Sequence, residues 1–254
     1  VELSFNFELA VYSAWLLAMG TLVGLTLWAP AVWQTRRAIV VPRPRREALV
    51  SLAAAALLVA LSVVTDQLLR PWKKDPQFGA WVFLAQLAIV YSPFWAILVW
   101  RREGLDTAFL RAEKLPAKII LGLSLATLAA AAFLAVRGRL DQFAAFVPTL
   151  SRGGPVAMLQ TFVEGFGVGF VLYRVGAWLG IRATAVLVAT LFMAAHLPNY
   201  MQGTYEHSLA DALAFAAAHA GIAVVVIASV WWTQDIIVLG FVHWFINAAS
   251  SFTT

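Results

Sequence analysis

Four polar side chains stand inside apolar runs of the last third of the chain. Glu164 lies in LQTFVEGFGVGFVLYRV, His196 in TAVLVATLFMAAHLPNY, and His243 and Asn247 in IIVLGFVHWFINAASSF. An ionisable group in mid-membrane costs about 2.5–3.5 kcal/mol or more, so several on neighbouring spans point to one functional cluster. Their types suit hydrolysis. A carboxylate can take a proton from water. An imidazole can hold that water or donate to developing charge. A carboxamide can donate to a carbonyl or an oxyanion. The spacing helps, because residues four apart share a helix face. His243 and Asn247 are such a pair, and Gln160 stands four before Glu164, where its amide can reach the carboxylate.

Apolar spans must position these groups. The fold expected is all-α, a polytopic integral membrane bundle of about eight transmembrane helices. They run near residues 9–33, 48–69, 80–100, 119–136, 155–178, 183–197, 210–232 and 236–251. The Arg-rich QTRRAIVVPRPRRE, the Pro/Gly-punctuated RPWKKDPQFG and the polar PNYMQGTYEHSLAD read as connections. RREGLDTAFLRAEKLPAK carries Leu105, Phe109 and Leu110 between charges and is expected along the headgroup boundary as a short helix. RGRLDQFAAFVPTLSRGGP is expected to be interfacial too. No internal repeat is visible, so residues 1–254 read as a single transmembrane domain.

Composition excludes an ordinary soluble domain. Hydrophobic residues make up 62% and charged residues 12%, against about 25% charged in soluble proteins. Mean hydropathy is +0.82. The net charge of +5 reads as loop charge that orients spans, not as a nucleic-acid surface. Twelve of the 18 basic residues, with Arg174 counted among them, fall on the side of the first, third, fifth and seventh loops. That side should be cytoplasmic and both termini outside. His196 then lies toward the outer face, with Glu164 roughly 9–14 Å below it. The chain has no cysteine, so thiolate ligands and cysteine nucleophiles are excluded. The first apolar run has no basic leader, so no cleavable signal is expected.

Plainer readings compete with the catalytic one. Glu164 could be a carboxylate bonded to a neighbouring helix, His196 a side chain snorkelling from a span end, and His243 and Asn247 interhelical glue. His219 reads as a packed core residue, and His207 beside Glu206 as a solvated loop residue. Zinc accepts Glu and His ligands, yet no H-E-x-x-H is present, and no metal or other cofactor is expected. Gly165, Gly167 and Gly169 bare one face of the fifth span, which favours close helix packing. Most of the 11 Trp residues read as belt anchors. Trp15 and Trp95 fall mid-span, where lipid-facing rings could meet another membrane subunit.

The order F-x-x-x-H at Phe192–His196, then H-x-x-x-N at His243–Asn247, resembles the CPBP family of intramembrane proteases. That family takes in CAAX prenyl endopeptidases and bacteriocin-processing proteins. Its first motif, E-E-x-x-x-R, falls at Val163, Glu164 and Val168 by spacing from His196, and Gly169 matches the glycine after the motif arginine. REGLDTAFL and KLPAKIILGL resemble the segment before the family's core. The likeness covers roughly Leu105 to Asn247, which makes residues 105–254 the expected core and 1–104 additional N-terminal helices. It implies the fold and a glutamate/histidine-dependent endopeptidase site of Glu164, His196, His243 and Asn247. In that site Glu164 would activate water with help from His196, and His243 and Asn247 would hold the oxyanion. Val163 replaces the glutamate taken to activate water in the family, and Val168 replaces the arginine.

Two functional expectations follow. One is a peptidase acting on hydrophobic or lipidated membrane peptides. The other is a pseudoenzyme serving as scaffold or accessory subunit beside other membrane subunits. Both place the chain in a lipid bilayer, in a bacterial inner membrane, with no nucleic-acid partner.

Overall fold

The computed structural model describes residues 5–29, 37–73, 75, 78–152, 154–202 and 209–253. Among them there are helices and no strands. The long helices are α1 (Phe5–Trp28), α2 (Pro44–Lys73), α3 (Gly79–Arg101) and α4 (Leu115–Val136). Two single-turn helices follow, α5 (Phe143–Phe146) and α6 (Thr149–Arg152), then α7 (Gly154–Gln202), α8 (Leu209–Thr233) and α9 (Ile237–Thr253). Five described stretches are long and apolar enough to cross a membrane: Leu9–Trp28, Pro44–Lys73, Gly79–Arg101, Leu115–Val136 and Pro155–His196. The apolar helices His219–Thr233 and Ile237–Phe252 are shorter. By length and composition the chain is a helical integral membrane protein.

Residue contacts divide it into two compact units. The first comprises Val1–Arg37, Leu110–Gly165 and Ser229–Thr254. Here α4 packs against both α1 and α9. Small residues bring the helices close: Ala10, Ala14 and Ala18 form a fully buried stripe on α1, and Ala126, Ala129 and Ala130 do so on α4. A Cβ on Gly122 of α4 would sit 2.7 Å from the Phe241 ring of α9. The segment expected at the interface holds the single-turn helices α5 and α6. Phe146 of α5 is fully buried, its ring edge-on to Phe245 and Phe252 of α9 at 6.2 and 5.9 Å. One large aromatic thus tethers a polar stretch to the core.

The second unit comprises Ala38–Phe109 and Phe166–Ala228. Here α2 and α3 pair as a hairpin, joined by Glu47 and Arg101 at one end and by Gln86 donating to Thr65 Oγ1 (3.2 Å) further along. The rest of α7 lays Phe166 on Trp95 (4.4 Å between centroids) and Phe170 on Phe94 (4.7 Å). Gly167 explains how close α7 and α3 come, since a Cβ there would meet Tyr91 Cε1 at 2.7 Å and Phe94 Cε2 at 3.2 Å. Both are ring atoms packed in the core, so Gly167→Ala should destabilise by about 1–3 kcal/mol through overpacking. Chemical unfolding in detergent checks this. The segment 101–118 differs from expectation. Leu105–Ala108 is one 3₁₀ turn ending on Phe109, which is fully buried against Tyr173 at 5.6 Å rather than standing out as an anchor.

At 49 residues α7 is too long for a single crossing, and it breaks at Gly180 (φ 72°, ψ 170°). That conformation is open to glycine almost alone. The break falls where a turn between the fifth and sixth spans is expected.

Candidate functional site

The first unit holds three of the four predicted site residues. Glu164 and Gln160 come from the opening turns of α7, His243 and Asn247 from α9. These helices run antiparallel and touch closely. A Cβ on Gly240 would lie 2.9 Å from Phe162 Cε1, the rings of Phe162 and Phe241 meet at 5.2 Å, and Thr161 donates to Gly240 O at 3.2 Å. The helical period then builds two rungs. On the inner rung Glu164 Oε2 faces His243 Nδ1 at 3.8 Å. One turn outward, Gln160 and Asn247 both line a cavity of about 670 Å³.

The inner rung is well prepared electrostatically. Glu164 is buried, Gln160 Nε2 donates to its Oε1 at 2.8 Å, and Oε2 has no protein hydrogen-bond partner among the described residues. At 3.8 Å the carboxylate and imidazole are too far for a direct bond. The ring of Trp15 stands 5.7 Å from that of His243 and is buried, which corrects the expectation of a lipid-facing Trp15. Trp95 remains partly exposed while stacking on Phe166.

The cavity mixes polar and apolar lining. Trp244, Asn247, Ala248 and Ser251 face it as one helical stripe of α9, opposite Ala157 and Gln160 of α7. Thr149 and Leu150 of α6 close its rim. Ser250 and Ser251 donate to Asn247 O at 2.8 and 3.0 Å, which anchors the turn carrying the carboxamide. The indole Nε1 of Trp244 is buried without a protein acceptor among the described residues. Asn247 thus stands at a cavity wall one turn from a buried carboxylate.

His196 belongs to the second unit. Its Nδ1–H donates to Phe192 O at 2.7 Å, and its ring lies 4.4 Å from that of Phe192. The F-x-x-x-H spacing therefore serves a local contact. His219 is half-buried in α8. His207 and Glu206 lie outside the described residues. No three His, Asp or Glu side chains gather at metal-ligand spacing among the described residues. Val163 and Val168 are half-buried on α7.

The most deeply buried charges were not singled out in the sequence. Lys118 and Asp235, fully buried in the first unit, pair at 2.6 Å. Asp235 Oδ1 also accepts from the N–H groups of Ile237 (2.8 Å) and Val238 (3.1 Å), capping α9, while Lys118 donates to Arg111 O at 2.9 Å. Gln234 extends the network, accepting from Arg111 Nη1 at 3.0 Å and from Arg37 N at 2.8 Å. Burial pushes the Asp235 carboxyl up, while Lys118 and the two N–H groups pull against it. This network holds the start of α9, two turns before His243. Its sequence signal was Asp235 directly before an apolar run, the pattern of an N-cap.

In the second unit Arg174 is buried, though expected as a loop cation. It pairs with Glu103, donates to Thr107 O (3.1 Å) and Phe170 O (3.2 Å), and stacks 3.8 Å over the Phe170 ring. Arg111 and Lys118, also expected as loop cations, are buried as well. No family model matches the chain, and no curated protein or solved structure matches it.

Proposed function

We propose that the chain is an intramembrane peptide hydrolase of eight crossings, similar to CPBP proteases, acting on hydrophobic or lipidated membrane-tethered peptides. The observation that carries this reading is the buried Glu164 carboxylate, one oxygen facing His243 Nδ1 at 3.8 Å, one turn from a cavity lined by Asn247 and Gln160. Glu164 takes a proton from a water held at its edge with His243, and the water oxygen adds to the peptide carbonyl. The Asn247 amide donates to the resulting oxyanion. The C–N bond breaks, the amine leaves with the proton from Glu164, and a carboxylate and an amine are the products. Thr149, Ser250 and Ser251 give the cavity part of its polar lining.

Eight crossings are supported by the Gly180 break, which divides Pro155–His196 into two spans, and by the two shorter apolar helices. Loop charge favours both termini outside, and the likeness to CPBP proteases favours a bacterial cytoplasmic membrane.

A second reading keeps the bundle without the reaction, as a scaffold or accessory subunit of a membrane assembly. Val163 and Val168, at the positions of the family's water-activating glutamate and its arginine, favour it. The purified chain in bilayer discs, offered tethered and lipidated peptides beside its His196→Ala and His243→Ala variants, separates the two. Product from the native chain and a loss with His243→Ala support hydrolysis at this site. Equal product from all three, or none from the native chain, favours the scaffold.

A further inference from the structure

The basic residues of the second unit fall into two kinds. At one end of the α2–α3 hairpin Arg70 and Lys73 both bind Asp66, at 3.1 and 2.5 Å. At the other end Arg101 is held by Glu47, the acidic residue nearest to it. Of the others, Arg174 pairs with Glu103, Arg182 is exposed on α7, and Arg43, Arg45, Arg46 and Arg102 are exposed at the start of α2 and the end of α3 with no ion pair among the described residues. Three of them bound a hollow of about 460 Å³, formed by Arg43, Pro44, Arg45, Arg46, Leu49 and Val50. Its open surface is carbon, and its lining joins Leu49 and Val50 to three arginines whose stems are aliphatic.

Depth in the membrane follows from the Glu47–Arg101 pair. It sets Arg45 and Arg46 level with the end of α3, where Trp100 is 73% exposed. At the far end of the hairpin Trp72 and Trp81 are exposed in the same way. Exposed indoles at both ends of a long apolar hairpin mark the two headgroup levels. The free arginines therefore stand at headgroup depth, and Leu49, half-exposed one turn further in, stands at the first acyl carbons. Guanidinium forks match phosphate oxygens in pairs, and a carbon wall just below them matches an acyl chain. A free phosphate would leave that wall unused.

We propose that this hollow binds an anionic phospholipid, its phosphate among Arg43, Arg45 and Arg46 and its acyl chain along Leu49 and Val50. The site is independent of the hydrolytic reading. The lipid neutralises three like charges that the protein leaves unpaired at one end of α2.

The test uses the full chain in bilayer discs of phosphatidylcholine with increasing phosphatidylglycerol, reading lipid retained by native mass spectrometry. The parent should retain phosphatidylglycerol over phosphatidylcholine. The Arg43→Gln/Arg45→Gln/Arg46→Gln variant should lose that preference by on the order of 100-fold, from about 1 kcal/mol for each juxtamembrane charge. Leu49→Glu, which leaves the arginines in place, should lose it too. Circular dichroism confirms that each variant is helical. Unchanged retention by both variants overturns the proposal. So does full displacement of the lipid by inorganic phosphate, which would make the hollow a site for the anion alone.

Discussion

Glu164→Gln is expected to lower peptide hydrolysis by about 10²–10⁴-fold, the range supplied by a positioned general base. The thermal midpoint in detergent should stay level or rise. The native carboxylate is buried with one oxygen lacking a protein partner, an arrangement that costs stability while the group is charged. Glutamine keeps the shape and the bond to Gln160 while removing the charge and the proton-accepting oxygen. Loss of activity together with unchanged or improved stability separates a catalytic carboxylate from a structural one, because a structural partner would show the opposite pattern. Asn247→Ala should be milder, about 10²–10³-fold, as for removal of a single oxyanion donor. Single-turnover product formation at saturating peptide reads both. Parent-like rates from the Glu164→Gln variant would remove the proposed base.

The largest effect on stability is expected at Lys118. Lys118→Met should destabilise by about 3–5 kcal/mol, since it strands a buried carboxylate whose partner sits 2.6 Å away. The double variant Lys118→Met/Asp235→Asn should recover most of that loss. Asparagine still caps the start of α9, and neither side chain is then charged. Denaturant unfolding of the parent, both single variants and the double variant gives the coupling directly. If Lys118→Met costs less than about 1 kcal/mol, the pair is as weak as a surface salt bridge and does not hold α9. The effect should reach the site, because Asp235 begins the helix that carries His243 and Asn247. Lys118→Met is therefore expected to lower hydrolysis as well, through misplacement of α9.

Much of the framework was legible in the residue order. Apolar runs announced the helices, and structure and expectation differ mainly at their ends, as with α2 at Pro44–Lys73 against an expected 48–69. The i, i+4 pairs Gln160/Glu164 and His243/Asn247 were legible because a helix has one period. The first is bonded at 2.8 Å, and the second lies on neighbouring positions of α9. Gly167 read correctly as a packing glycine. At 101–118 Phe109 looks like a membrane anchor in sequence and is a core residue in space, and the helix there shrinks to one 3₁₀ turn. Arg111, Lys118 and Arg174 were misread as loop cations for a related reason. A charge at the end of an apolar run is solvated by default, and only a partner such as Asp235 or Glu103 makes burial tolerable.

By itself the order of residues determined that this chain is helical and membrane-embedded, and which side chains share a helix face. Hydropathy adds up residue by residue along a run, and the helical period repeats every few positions, so both are local. Only the tertiary structure decided that Glu164 faces His243, that Asn247 and Gln160 line one cavity, and that Lys118 meets Asp235. Those pairings join residues far apart in sequence, and they depend on where small side chains such as Gly240 and Gly122 let helices close up. Close packing of shapes from distant segments has no local signature, so no stretch of the chain read alone could contain it.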